Sequence, residues 1–217
     1  MGAAETFKRT GPDQLRILIR VYDFAHVDRD VLQSGEKLTT GILHKAGIEV
    51  VWLDRLTAPP SNAEVVGPEF RLNIVPRLEM LSTAQAKSKD DLLGFAIPCG
   101  ETDQACLFYV LYSRISAWAG QGGSDPSRII GHVMAHEIGH ALLRPHAHAP
   151  TGIMQSRLAR LDMGRVLYCS DVQSQHMRAD LVGRTGALNG RLREQNSIFG
   201  FIPSAIEGPP AEIPLKP

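Results

Sequence analysis

The sequence predicts an α/β domain built on a mixed, mostly parallel β-sheet. Three observations carry this prediction. The chain opens with a strand–helix–strand pattern over 14–54, continues with further short apolar runs, and then enters a core helix that starts at Asp125. At 217 residues, it has the length of one domain, or of one domain with two lobes.

The elements follow in order. Gln14–Phe24 alternates Leu15, Ile17, Ile19 and Val21 on one side and reads as a strand. Asp28–Ala46 has helical spacing through Val31, Leu32, Leu38, Ile42 and Leu43, with Gly47 as a natural stop. Ile48–Asp54 is the second strand, and Ala58-Pro59-Pro60-Ser61-Asn62 a loop. Phe70–Leu78 is the third strand, and its Pro76 suits an edge or a bulge. A short helix or loop near 82–90 leads into Leu92–Cys99, and Cys106–Ile115 is the fifth apolar stretch. Later, Ser170–Leu181 has helical spacing with Ser170 or Asp171 as cap. Beyond about 196 the chain turns proline-rich and reads as a tail over 196–217.

The chemistry is concentrated in 125–154. Asp125 is placed to cap a helix and Pro126 suits its first position. Ile129, Ile130, Val133, Met134, Ile138, Ala141 and Leu142 give that helix a buried face. On it lies His136-Glu137-Ile138-Gly139-His140, the HExxH pattern. Residues four apart share a helix face, so both imidazoles can reach one metal ion, and Glu137 projects beside it as a general base. A zinc site with an open position needs a third protein ligand, and two histidines, His146 and His148, stand just past the helix. His132 forms another i,i+4 pair with His136, but that pair would put Val133 where the base belongs. It therefore reads as a packing or supporting residue.

HExxH, a further histidine and then a turn ending Gly152-Ile153-Met154 together resemble the metzincin clan of zinc endopeptidases, and most closely its small bacterial members. The resemblance is sharpest over 131–154. It implies a twisted five-stranded sheet with a backing helix, an active-site helix and a helix after the Met-turn. One catalytic domain would then span 1–195, with an upper lobe of about 14–143 and a lower lobe of about 144–195. It also implies that Met154 forms a hydrophobic floor under the ligands. Leu92–Cys99 would be an antiparallel edge strand, whose Gly94, Phe95, Ala96 and Ile97 hold the backbone of a peptide or protein substrate.

Two departures bear on the site. The glycine that the family carries at the helix exit is Leu143 here. Leucine can continue the helix and Pro145 disfavours α geometry only at Arg144, so the exit is expected about a turn later. A longer return favours His148 as the third ligand, with His146, at the family's spacing, as the alternative. No tyrosine follows Met154 closely, so the oxyanion-stabilising tyrosine of some metzincins is not expected. No glutamate occurs between His140 and Glu194, and Glu194 lies in a polar segment, which argues against a zinc protease with a downstream glutamate ligand.

The expected activity is zinc-dependent peptide hydrolysis, with Glu137 as general base and then acid and one catalytic Zn2+ as cofactor. The rival reading is a zinc-binding module of weak or no activity. The 23 basic and 23 acidic residues balance, so no electrostatic footprint for nucleic acid exists. No apolar run approaches 18 residues, so no membrane span is expected. A monomer is expected. The N-terminus shows no signal-peptide core. Location is therefore open between the cytoplasm, if this terminus is native, and an extracytoplasmic site, if it is a mature end. Cys99 and Cys106 flank a short polar loop that a disulfide could close. Three reduced thiols, including Cys169, are the alternative.

Overall fold

The structure, a computed structural model, describes residues 15–55, 67–77, 92–97, 107–122, 124–143, 147–156 and 164–199. His146, Cys99 and Cys106 lie outside these residues, as do Pro98, the 58–62 loop and the 82–90 stretch.

Among the described residues, five strands and four helices follow in the order β1 (Arg16–Asp23), α1 (Arg29–Lys45), β2 (Glu49–Leu53), β3 (Glu69–Val75), β4 (Gly94–Ile97), β5 (Leu107–Leu111), α2 (Tyr112–Gly122), α3 (Pro126–Leu143) and α4 (Asp171–Phe199). The sheet order is β2-β1-β3-β5-β4. The first four strands in that order pair in parallel, and β4 runs antiparallel to β5 as the terminal strand. The chain is thus α/β with a mixed, mostly parallel five-stranded sheet. No helix among the described residues is long and apolar enough to cross a membrane.

The alternation read in β1 is what divides the sheet into two faces. Ile17, Ile19 and Val21 share one core cluster with Phe70, Leu72 and Ile74 of β3, Phe108 and Val110 of β5, and Ile129, Ile130, Val133 and Ile138 of α3. The opposite parity of β1 carries Arg16 and Arg20. These form ion pairs with Glu49 and Glu69 at 2.7 Å and 2.8 Å, tying both neighbouring strands to β1.

α1 begins where Asp28 accepts hydrogen bonds from the backbone N–H groups of Asp30 and Val31, and it stops before Gly47 at φ +82°. It crosses α3 at glycine. Thr39 Oγ1 lies 2.9 Å from both Gly35 O and Gly131 O, so one buried hydroxyl proton is shared between the two helices. A Cβ on Gly131 would sit 2.8 Å from the Gly35 carbonyl oxygen and 3.0 Å from the Leu38 side chain. Gly131→Ala is therefore expected to destabilise the fold by about 1–3 kcal/mol, the usual range for overpacking against groups that cannot retreat. Denaturant unfolding would measure it, and an unchanged midpoint would contradict this crossing.

Three expectations are corrected. β3 is an interior strand between β1 and β5, not an edge. It needs N–H groups on both sides, so it ends at Val75, before Pro76, and the Pro76 carbonyl accepts from Ser113 N at 3.2 Å. The stretch Cys106–Ile115 is not one element: β5 ends at Leu111 and α2 begins at once, with Ile115 and Ala119 turned into the core. α4 is also much longer than 170–181 and runs to Phe199, past the start of the expected tail. The seven apolar residues read on α3 are all buried, and the burial extends nearly all round the helix, as befits one wedged between the sheet, α1 and α4.

Candidate metal centre

α3 starts as its sequence predicts. Asp125 Oδ1 accepts from Ser127 N at 2.8 Å, and Pro126 occupies the first turn, where a missing N–H is harmless. The helix reaches Leu143. The exit expected about a turn later falls at 144–146, outside the described residues, and the chain is described again from Ala147.

The structure brings His136, His140 and His148 together, with one ring nitrogen of each within 4.8 Å of the others. His136 Nε2 and His140 Nε2 are 3.0 Å apart. His136 is buried, His140 half-buried and His148 exposed, so the cluster faces solvent on the His148 side. Burial lowers the pKa of His136. Burial first, and then the charges of His136 and His148, take His140 down to about 4. Both are neutral at physiological pH, the form that ligates metal.

The supports of the cluster are not on α3. His136 Nδ1 donates to the Ile153 carbonyl at 2.8 Å, which leaves the Nε2 lone pair directed at the cluster. Ile153 N in turn donates to Tyr168 O at 3.0 Å, and Leu167 N donates to His132 Nε2 at 3.2 Å. His132 Nδ1 donates to Arg128 O at 2.7 Å. His132, 0% exposed, is thus a satisfied core histidine that ties the 167–168 segment to α3 one turn before His136. The turn itself needs glycine. Gly152 has φ +81°, and a Cβ there would lie 2.5 Å from Tyr168 O. Met154 is fully buried, with its thioether packed against Gly139 of the motif.

Glu137 is 4% exposed, and its Oε2 has no hydrogen-bond partner among the described residues. Burial pushes its carboxyl up to about 8. Beside it passes β4: a Cβ on Gly94 would come within 3.0 Å of Glu137 Oε1 and 2.8 Å of the Tyr109 carbonyl. Gly94 therefore lets the edge strand lie against the carboxylate. Gly94 is buried, Phe95, Ala96 and Ile97 are half-buried, and Phe95 stacks on Tyr109 with centroids 4.8 Å apart.

Three imidazoles with ring nitrogens within 4.8 Å of one another could hold one metal ion, and the buried Glu137 follows the first of them on α3. Cys169 plays no part. It is half-buried with Sγ 3.7 Å from Met177 Sδ, and burial raises its thiol to about 11. The sequence matches no protein-family model, and no curated protein is significantly similar to it.

Sequence reasoning missed two supports. One is the Ile153 carbonyl, which no side-chain pattern announces. The other is Gln173, whose Nε2 donates to Ala147 O at 3.1 Å beside His148. Its only trace in the sequence is the Ser170-Asp171-Val172-Gln173 spacing of a helix start.

Proposed function

We propose that the chain is a zinc-dependent endopeptidase of metzincin type, with His136, His140 and His148 as ligands and Glu137 as general base. One observation carries this reading: three imidazoles converge, and the buried carboxylate that follows the first of them has an oxygen without a partner among the described residues. Nitrogens about 2.0–2.1 Å from a tetrahedral zinc lie roughly 3.3 Å from one another, close to the 3.0 Å between His136 and His140. An antiparallel terminal strand beside the carboxylate supports the metzincin-like arrangement.

Zinc in this position supplies Lewis acidity, polarising a peptide carbonyl and making water acidic near neutral pH. The chain's own residues do the rest. Glu137 takes a proton from the attacking water as its oxygen bonds to the carbonyl carbon, and gives that proton to the amine nitrogen as the C–N bond breaks. β4 offers backbone groups on its outer edge to an extended peptide, and Gly94 keeps that peptide close to Glu137. Hydrogen bonding to the Ile153 carbonyl keeps His136 in the tautomer and orientation that ligation needs.

The test is zinc stoichiometry by elemental analysis together with cleavage of an unstructured protein. Wild type should carry about one zinc per chain, as the one-ion site requires, and cleave in a zinc-dependent way. After dialysis against trace metal, His136→Ala, His140→Ala and His148→Ala should hold less than stoichiometric zinc, because each binds it more weakly, and His146→Ala should keep it. A wild type without stoichiometric zinc sinks the reading. Zinc without cleavage would leave a zinc-binding module.

A further inference from the structure

We propose that Gln173 is the positioning residue that holds His148 in the site, and that it thereby sets metal affinity. The inference rests on the reading of the three histidines as zinc ligands. His136 and His140 are fixed by a buried helix. His148 is exposed and comes from a non-helical segment, so beyond its ring contacts with His136 and His140 it depends on its backbone being held on both sides. On one side Ala149 N donates to Met154 O at 2.8 Å. On the other, the carbonyl of buried Ala147 accepts from Gln173 Nε2 at 3.1 Å, across 26 residues of sequence.

Gln173 has two jobs, and they use different atoms. As the third residue of α4 it completes a reciprocal helix cap: Gln173 N donates to Ser170 Oγ at 3.2 Å, and Ser170 N donates to Gln173 Oε1 at 3.1 Å. A glutamate would satisfy this cap equally well. Only an amide also offers an N–H to Ala147. The two partners fix which end is which, because the carbonyl can only accept and the N–H can only donate. The start of α4 is thus built to deliver a hydrogen bond next to the ligand that α3 does not supply.

Gln173→Glu separates the two jobs, and Ser170→Ala is its counterpart, weakening the cap but leaving the amide in place. Zinc affinity of the full chain is read by competition with a chromophoric chelator, and metal-free thermal melts follow the fold. Gln173→Glu should bind zinc about tenfold more weakly, the low end for losing a group that orients a ligand, whereas Ser170→Ala should stay within about twofold of wild type. His148→Ala should weaken zinc binding, and adding Gln173→Glu to it should weaken it no further. The visible absorption of cobalt-loaded Gln173→Glu should move toward that of His148→Ala.

Wild-type zinc affinity in a folded Gln173→Glu overturns the proposal. So does an equal loss in the His148→Ala background, or a tenfold loss from Ser170→Ala alone, since each would place the effect in the fold and not in the histidine. A wild type that binds no zinc defeats the functional reading instead.

Discussion

Replacing Glu137 by Gln is expected to abolish peptide hydrolysis while leaving zinc bound and the metal-free protein more stable at alkaline pH. Gln keeps the shape of the side chain but cannot accept a proton from water, and general acid–base groups contribute roughly a hundred- to ten-thousand-fold to rate. The three histidines are untouched, so metal content should match wild type. The stability effect has the opposite sign. Burial holds the carboxyl at about 8 in the folded chain, against an ordinary value of 4.5. Raised in this way, it supports folding in its neutral form. That contribution is whole below about pH 4.5 and is lost as pH rises through about 8, because the unfolded chain ionises first.

Metal-free wild type should therefore weaken by a few kcal/mol between about pH 5 and 9, and Glu137→Gln, neutral throughout, should escape most of that loss. Zinc should shrink the difference, since a nearby cation favours the ionised carboxylate. Urea unfolding of both proteins at the two pH values, with and without chelator, tests the sign. Hydrolysis that survives in Glu137→Gln at near wild-type rate would remove Glu137 from the mechanism. Parallel pH profiles for the two metal-free proteins would remove the burial argument.

That one glutamate shows how far the sequence could be read. HExxH was legible because its geometry is local: four residues along a helix bring His136 and His140 together whatever the rest of the chain does. The opening β1–α1–β2 was legible for the same reason, since alternation in Leu15–Val21 and the Asp28 cap are short-range signals. The edge position and direction of β4 came from resemblance, not from its four residues, which carry no mark of what they pair with. α2 was hidden because β5 passes directly into α2 at Tyr112 and no glycine or proline occurs in 107–115, so the change of period falls inside one apolar run. The supports of the site were illegible in a stronger sense. His136 leans on the Ile153 carbonyl, 17 residues away, and Ala147 on Gln173, 26 residues away. Backbone acceptors leave no trace in residue identity, and only the fold brings them to the ligand.

The second large effect concerns the same helix from below. Gly139, inside the motif, has no room for a side chain unless the buried Met154 thioether shifts, because a Cβ there would overlap Met154 Sδ and lie 2.9 Å from Met154 Cε. Gly139→Ala should destabilise the protein by about 1–3 kcal/mol through overpacking, although alanine is the better helix former. Met154→Ala should cost about 2–5 kcal/mol, because Met154 is 0% exposed and its removal leaves a cavity beside Gly139. The double variant decides whether the contact is the cause. The alanine methyl at 139 would enter space that the thioether vacates, so the two costs should fall short of additive by about 0.5–3 kcal/mol. Strict additivity would mean that glycine at 139 answers to something other than Met154. Because Met154 follows Ile153, whose carbonyl holds His136, the same cycle run on zinc affinity should show coupling of the same sign. The turn that fills the space under α3 is also the turn that orients His136.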